Sequence, residues 1–548
     1  MCGIWCKIGR QATQAERDQC THRLENRGPE HTQVTDVGSC TLGFTRLALN
    51  GLGSTGMQPM RHGNIHWVCN GEIYNWMELR DRLGLEQAGS SDPALRGQHG
   101  STEALHPSSD CSILGSLWLR YRDDPALFFR ALDGVFALIL IDEERGTVTV
   151  GRDPYGVRPL FCVYNEEVTF YASEMKALTA LLPKEPIQHV KPGTYIQLTR
   201  EGQWSTTKRW HTVPWLKNPL LSYEEEAMAA LRVSLMAAVR KRLLTERPVA
   251  ALLSGGVDSS LIAALVQKEL QMLGKPPLET FTIGFEGSPD LLFAREVANW
   301  IGSRHTEIVM TPDEFFEAIQ PVIRDIESYD ITTVRASVGN WLVSREIRRL
   351  SDAKVVFNGD GADEVFGSYL YFFRAPDDET FEAESSRLLE EIYQFDVLRS
   401  DRSISSHGLE PRTPFLDKQF VATAKSIATK LIRPRTGERP EKWLLRKAFE
   451  PMRLLPPAVL WRQKEAFSDG VSGTHKSWYQ EIQERMEPLV VSKRLYRHVS
   501  PLTKEARYYR DLFHEYYGVE GQGVIGHFWM PKWSNETTDP SARTLSCY

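Results

Sequence analysis

The sequence predicts an α+β domain of antiparallel sheets with flanking helices, followed by an α/β domain with a parallel sheet and a helical C-terminal part. Three observations predict it. The chain has 548 residues, more than one hydrophobic core usually organises, so two or more domains are expected. As far as about Tyr195 it reads as short apolar alternations broken by Gly, Pro and Asn, the pattern of antiparallel strands. Beyond about Tyr223, buried-strand and helix patterns alternate, which argues for a parallel sheet covered by helices.

In chain order, HWVCNGEIYN, VFALILIDEERGTVTVGRDPYGVRPLFCVY, VTFYAS and GTYIQLT read as strands separated by turn signals. SILGSLWLRY, just after Asp110, has helical apolar spacing, and the Gly-, Ser- and Pro-rich stretch over 83–109 reads as a surface loop. Polar sequence with Trp and Pro over 201–221 reads as a linker between domains at 2–200 and 222–548. YEEEAMAALRVSLMAAVRKRLL then reads as a helix, PVAALL as a strand, SLIAALVQKELQML as a helix and ETFTIGF as a strand. After about Gly367 the pattern is mostly helical.

The composition, 41% hydrophobic and 25% charged, is that of a soluble globular protein, and a net charge of -6 gives no nucleic-acid signature. No apolar run is long enough to span a membrane, and no basic-then-apolar leader opens the chain. Eight cysteines without paired CxxC spacing read as thiols in a reducing compartment, so a cytoplasmic setting is expected.

Three stretches carry chemistry. MCGIW places a cysteine second; removal of Met1 would give one residue both a thiol and an α-amino group, a nucleophile with its own base. AALLSGGVDSSLIAAL runs from a buried strand through Ser254, Gly255 and Gly256 into a helix near Asp258 and Ser259. Glycines there let the backbone approach an anion, and the free N–H groups of the helix start favour phosphate. KVVFNGDGADEVFGSY ends another strand in a loop bearing Asp360, Asp363 and Glu364. Carboxylates so close repel unless protonated or shared with a cation, and hard oxygens beside a phosphate site suit Mg²⁺.

With these motifs, the chain resembles the glutamine-hydrolysing asparagine synthetases, in their animal-type branch. Further landmarks are HRLENRGPE, FTRLAL, NGEIYN, LDGVFAL and GRDPYGVRPLF in the first half; FTIGF, SPDLL, YDITTVRAS, RTPFLD, EKWLLRKAFE, WRQKEAFSDG, WMPKW and DPSARTL mark the second. The resemblance spans nearly the whole chain. It implies an N-terminal nucleophile hydrolase sandwich joined to a domain of ATP-pyrophosphatase type.

For the first domain the resemblance implies that Cys2 is the nucleophile of a glutaminase, with Asn70 and the Gly71 N–H stabilising the oxyanion. Arg46 then holds the glutamine α-carboxylate, Glu72 and Asp110 its α-amino group, and Leu47 belongs to the same site; Asp92, which also follows two serines, is the alternative to Asp110. For the second domain it implies ATP contacts at Leu252, Ser254, Gly255, Gly256, Asp258, Ser259, Ile283, Asn358 and Gly359. Asp258 and Asp363 match carboxylates that carry Mg²⁺, and Ser259, Arg335 and Lys442 match residues that hold phosphates or neutralise their charge. The implied substrates are glutamine, aspartate and ATP, with no nucleic-acid or membrane partner, and the family leaves room for a homodimer.

Four positions depart from the family pattern. Asp360 stands where a glutamate is thought to assist ammonia attack; one methylene fewer withdraws the carboxylate by about 1.5 Å. Misplacement on that scale can cost roughly 100-fold in rate. Glu30 replaces an aspartate, Ser112 a glutamate and Ser368 a glycine. Two other readings compete with the synthetase. One is a β-lactam synthetase-like enzyme, whose relatives generally lack Cys2; the other is a non-catalytic or glutaminase-only regulator that binds ATP and glutamine and is weakened at Asp360.

Overall fold

The computed structural model describes residues 1–85, 109–203, 206–213, 218–464, 470–473, 476–534 and 539–540. Almost all of the 83–109 loop and part of 201–221 lie outside the described residues. The chain divides into two compact units. The first comprises Met1–Ala177, Val190–Thr212 and Leu244–Glu246; the second comprises Leu178–His189, Val213–Leu243 and Arg247–Tyr548. No described helix is long and apolar enough to cross a membrane.

The first unit is a sandwich of antiparallel sheets. In one, five strands run in the order Phe161–Tyr164, Thr169–Ala172, Gly3–Ile8, Cys40–Arg46, His31–Val37. The other has the order Lys208–Arg209, Thr194–Thr199, Thr147–Arg152, Gly134–Asp142, Ile65–Ile73, Met60–His62. Side chains alternate across a strand, so each strand serves two layers. Val68 joins Ile4, Cys6, Phe44, Ala137 and Ile139 between the sheets. Its neighbours Trp67 and Cys69 face the other way, into a layer with Leu117 and Trp118 from the helix Ile113–Tyr121 and with Phe128 and Phe129 from Pro125–Ala131. Within 201–221, Lys208–Arg209 pairs with Thr194–Tyr195, and Trp210 buries its ring on Phe129 and Phe136.

The second unit holds a five-stranded, wholly parallel sheet in the order Arg304–Val309, Glu279–Gly284, Val249–Leu252, Val355–Phe357, Glu410–Arg412. Helices including Val257–Met272, Pro289–Ile301 and Ile331–Leu350 make the crossovers that parallel strands require, while Glu224–Lys241 precedes the first strand and packs on Val257–Met272. Most later elements are helical, the short strand Glu410–Arg412 apart. The loops leaving the C-terminal ends of the strands are where ligands sit in such sheets. They carry both motifs read as ligand-binding, at 253–256 and 358–361.

Candidate active sites

In the first unit the site forms where the strand beginning at Gly3 pairs with Cys40–Arg46 and lies beside Ile65–Ile73. The Cys2 backbone N–H donates to Asn70 Oδ1 at 3.1 Å, and the Cys2 thiol reaches the Leu47 carbonyl at 3.7 Å. Asn70 is completely buried, and its Nδ2 has no hydrogen-bond partner among the described residues. A buried amide N–H without an acceptor is costly unless a ligand supplies one. Gly71 is required by close approach: a Cβ there would lie 2.1 Å from the Val135 carbonyl oxygen on the paired strand.

Around this pair the other predicted residues gather. Arg46, buried at the end of its strand, donates from Nη1 to the Gly53 carbonyl at 2.8 Å and from Nη2 to that of Gly51. Glu72 Oε2 accepts the Asn50 amide at 2.6 Å, and Asp110 Oδ2 accepts the Ile73 N–H at 2.7 Å. Ser112 closes the turn at Asp110 by donating to the Ser109 carbonyl at 2.6 Å. Glu30 accepts the Ala48 N–H at 2.7 Å, bracing the segment that carries Leu47. Asp92 lies outside the described residues.

Thiol chemistry singles out Cys2. Cys6, Cys20, Cys40, Cys69, Cys111 and Cys162 are buried, and among the described cysteines Cys2 alone is partly exposed. Burial pushes the Cys20 and Cys162 thiols up to about 12 and Cys40 to about 11. Cys111 is pushed up by its hydrogen bond with Cys69, by burial and by the Asp110 charge. Thiols held protonated in this way are poor nucleophiles.

In the second unit a cavity of about 290 Å³ opens at the strand ends. On one wall Ser254 and Ser259 share a hydroxyl contact at 3.0 Å, the Ser254 N–H donates to Ser259 Oγ at 3.2 Å, and Gly256 caps the helix Val257–Met272 without a side-chain bond. The first-turn N–H groups are thus left for an anion. Gly255 turns the chain at φ +72° and stands behind the wall, where a Cβ would meet that of Phe293 at 2.4 Å. Leu252 and Ile283 line the cavity from their strand ends. Gly359 brings the two loops together, since a Cβ there would lie 2.7 Å from the Ser259 nitrogen. Asn358, whose amide donates to Ser400 Oγ at 2.7 Å, also lines the cavity.

Lys442 binds Asp258 Oδ2 and, at 2.7 Å, Asp363 Oδ1, joining the two carboxylates. It holds a left-handed backbone at φ +56°, and such strain clusters at functional sites. Lys464 reaches Asp363 Oδ2 at 2.7 Å. Burial opposes ionisation of Asp363, but the two lysines hold it far below the usual carboxylate range. Asp258 Oδ1 is buried with no partner among the described residues, which is the kind of atom a cation satisfies. No group of three or more His, Cys, Asp or Glu among the described residues is arranged to hold a metal. Two carboxylates nonetheless fit Mg²⁺, which keeps waters and shares substrate phosphates.

Asp360 Oδ1 accepts Arg399 Nη2 at 2.8 Å, and its Oδ2 is buried without a partner among the described residues. Arg399 also binds Asp396 at 2.8 Å. The Tyr369 hydroxyl lies 2.6 Å from Glu364 Oε1 and 2.9 Å from Asp396 Oδ2. Burial, with the neighbouring Asp396 and Asp363 charges, pushes Glu364 well above its usual range.

Arg335 reaches the cavity with its fork filled. It grips Glu505 at 2.8 and 2.6 Å and Asp539 at 3.0 and 2.8 Å, and its guanidinium lies 4.8 Å from the centre of the Tyr479 ring. Motif reading gave no role to Asp396 and Arg399, which sit in the helix Asp396–Ser405 with an ordinary amphipathic pattern. Nor did it give one to Arg462, Lys464 or Asp290, although all three fall inside quoted landmarks. Arg462 donates to Asp290 at 3.1 Å and to the Ser254 carbonyl at 3.4 Å.

Comparison with known proteins follows the same division. A family described as asparagine synthase matches residues 230–383 and 374–538, and one described as a glutamine amidotransferase domain matches 1–201. Proteins named asparagine synthetase [glutamine-hydrolyzing] from Cricetulus griseus and Homo sapiens are each 39% identical over 580 residues. The Gallus gallus protein of that name is 39% identical over 582. Each alignment covers 100% of this chain and 99% of the relative.

Proposed function

The chain belongs to the glutamine-hydrolysing asparagine synthetases, and on that premise we propose how its own residues divide the reaction. The enzyme is a ligase that makes asparagine from aspartate and ATP with glutamine nitrogen, leaving glutamate, AMP and pyrophosphate.

In the first unit, loss of Met1 frees the Cys2 amine to take the thiol proton, and the thiolate attacks the glutamine amide carbon. Arg46 pairs with the substrate α-carboxylate, Glu72 and Asp110 with its α-amino group. Charge developing on the amide oxygen is met by Asn70 Nδ2 and the Gly71 N–H. Ammonia leaves, and water releases glutamate from the thioester. The observation that carries this reading is the buried Nδ2 of Asn70, without a partner among the described residues, on the residue that binds the Cys2 backbone.

In the second unit the aspartate β-carboxylate attacks the α-phosphorus of ATP and pyrophosphate leaves, forming β-aspartyl-AMP. Ser254, Gly256 and Ser259 offer donors to the phosphates, and Lys442 counters their charge. Mg²⁺, when bound, supplies further neutralisation of the phosphates, and Asp258 and Asp363 are the residues that would hold it. Ammonia from the first unit then displaces AMP, and Asp360, whose Oδ2 has no partner among the described residues, accepts a proton. The thiols of Cys6, Cys20, Cys40, Cys69, Cys111 and Cys162, which form no disulfide among the described residues, support a cytoplasmic setting.

The test supplies purified protein with ATP, Mg²⁺ and aspartate, with glutamine or ammonium as nitrogen source, and follows asparagine and pyrophosphate. Asparagine from both sources in step with pyrophosphate is the expected result. Glutamate production without asparagine or pyrophosphate would overturn the synthetase assignment and leave a glutaminase.

A further inference from the structure

Ser368 follows Gly367, the residue at φ +55° that ends the short helix Ala362–Phe366. Its N–H returns to the Asp363 carbonyl at 3.0 Å, and its hydroxyl donates to Asp363 Oδ1 at 2.5 Å. The residue is completely buried. A glycine could make the same backbone turn but would leave Oδ1 without this donor.

A carboxylate has about four acceptor directions, two on each oxygen. On Asp363, Oδ1 receives Ser368 and Lys442, while Oδ2 receives Lys464. Among the described residues one direction stays open, on Oδ2. On Asp258, Oδ2 is taken by Lys442 and Oδ1 has no partner among the described residues. The last torsion of an aspartate is broad, so without a clamp the carboxylate plane turns more freely and its open acceptor direction is no longer fixed.

We propose that Ser368 is a positioning residue for the divalent cation that accompanies ATP: by filling Oδ1 it holds Asp363 in the rotamer that offers Oδ2, together with Asp258 Oδ1, to the metal. The inference rests on the reading that these two carboxylates carry Mg²⁺. Ser368 does not line the cavity and acts through Asp363.

Full-length native protein and the variants Ser368→Ala, Ser368→Gly and Ser368→Thr are titrated with ATP, once in EDTA and once in excess Mg²⁺, with bound nucleotide read by equilibrium dialysis. Glutamate production at Cys2 reports that the first unit is folded, and ATP affinity in EDTA reports the same of the second. In native protein Mg²⁺ strengthens nucleotide binding. The Ala and Gly variants keep their metal-free affinity and lose about tenfold of the magnesium-dependent gain, about 1.4 kcal/mol. Thr, which keeps the hydroxyl, restores that gain. Equal loss with and without Mg²⁺ would make Ser368 a packing residue and overturn the proposal, as would an undiminished gain in the Ala and Gly variants. No gain in native protein would refute the metal reading itself, and the role of Ser368 with it.

Discussion

Replacing Lys442 with methionine keeps the aliphatic stem and deletes the charge that joins Asp258 to Asp363. The contact with Asp363 at 2.7 Å corresponds to about 6 kcal/mol of Coulomb attraction at an effective dielectric of 20. Desolvation of the ammonium, whose side chain is 2% exposed, offsets part of it, and removing one member of such a pair typically costs 3–5 kcal/mol. Lys442→Met should therefore lower the melting temperature of the second unit, and Mg²⁺ should recover part of the loss by replacing the missing positive charge. Pyrophosphate release with aspartate and ammonium should fall by about 100- to 1,000-fold, the usual effect of losing a donor aimed at transition-state charge. Glutamate production should persist. Calorimetry with and without Mg²⁺, beside the two activity assays, measures all three. Native-like pyrophosphate release in a folded Lys442→Met protein would refute the reasoning, as would a thermal loss indifferent to Mg²⁺.

Asn70→Ala removes the side-chain oxyanion donor and should lower glutaminase turnover by about 100- to 1,000-fold while sparing ammonium-dependent asparagine formation; a change mainly in glutamine KM would point to binding instead. Asp360→Asn should slow the ammonium reaction by about 100-fold, the low end for a general base. Asp360→Glu should change it little, because the shorter carboxylate already meets Arg399 at 2.8 Å; stopped-flow or steady-state asparagine assays decide. Asp417 caps the helix Lys418–Lys425 and binds Arg242 at 2.7 Å and Lys241 at 2.6 Å. Burial raises its pKa, but Arg242 and Lys241 pull it below the usual value. Its contribution is therefore present above about pH 4 and lost as the pH falls further. Asp417→Asn should destabilise at neutral pH and converge on native protein in acid, as denaturant titrations at several pH values would record.

What the sequence revealed follows from how local each signal is. The turn at Ser254–Gly256 was legible because glycines, a strand and a helix start lie within a few residues of one another. Asp360, Asp363 and Glu364 were legible because three carboxylates in five positions demand an explanation. The strand alternation was partly masked, since Val68 faces one apolar layer while Trp67 and Cys69 face another. The partners that complete the cavity come from far along the chain. Arg399 reaches Asp360 across 39 positions, Lys464 reaches Asp363 across 101, and Asp539 reaches Arg335 across 204. Asp396 and Arg399 look like an ordinary helical ion pair until the fold sets Arg399 against Asp360. The bracing of Glu72 by Asn50 has no motif at all, because a hydrogen bond between loop and strand leaves no periodic trace.

On the proposed division of labour, one chain runs two chemistries, with Cys2 serving only the release of nitrogen from glutamine. Asparagine formation by Cys2→Ala, compared with glutamine and with ammonium as donor, tests it most directly. Glutamine should no longer support asparagine synthesis, while ammonium should support it at close to the native rate. Asparagine still formed from glutamine, or synthesis lost with both donors in a folded protein, would contradict it.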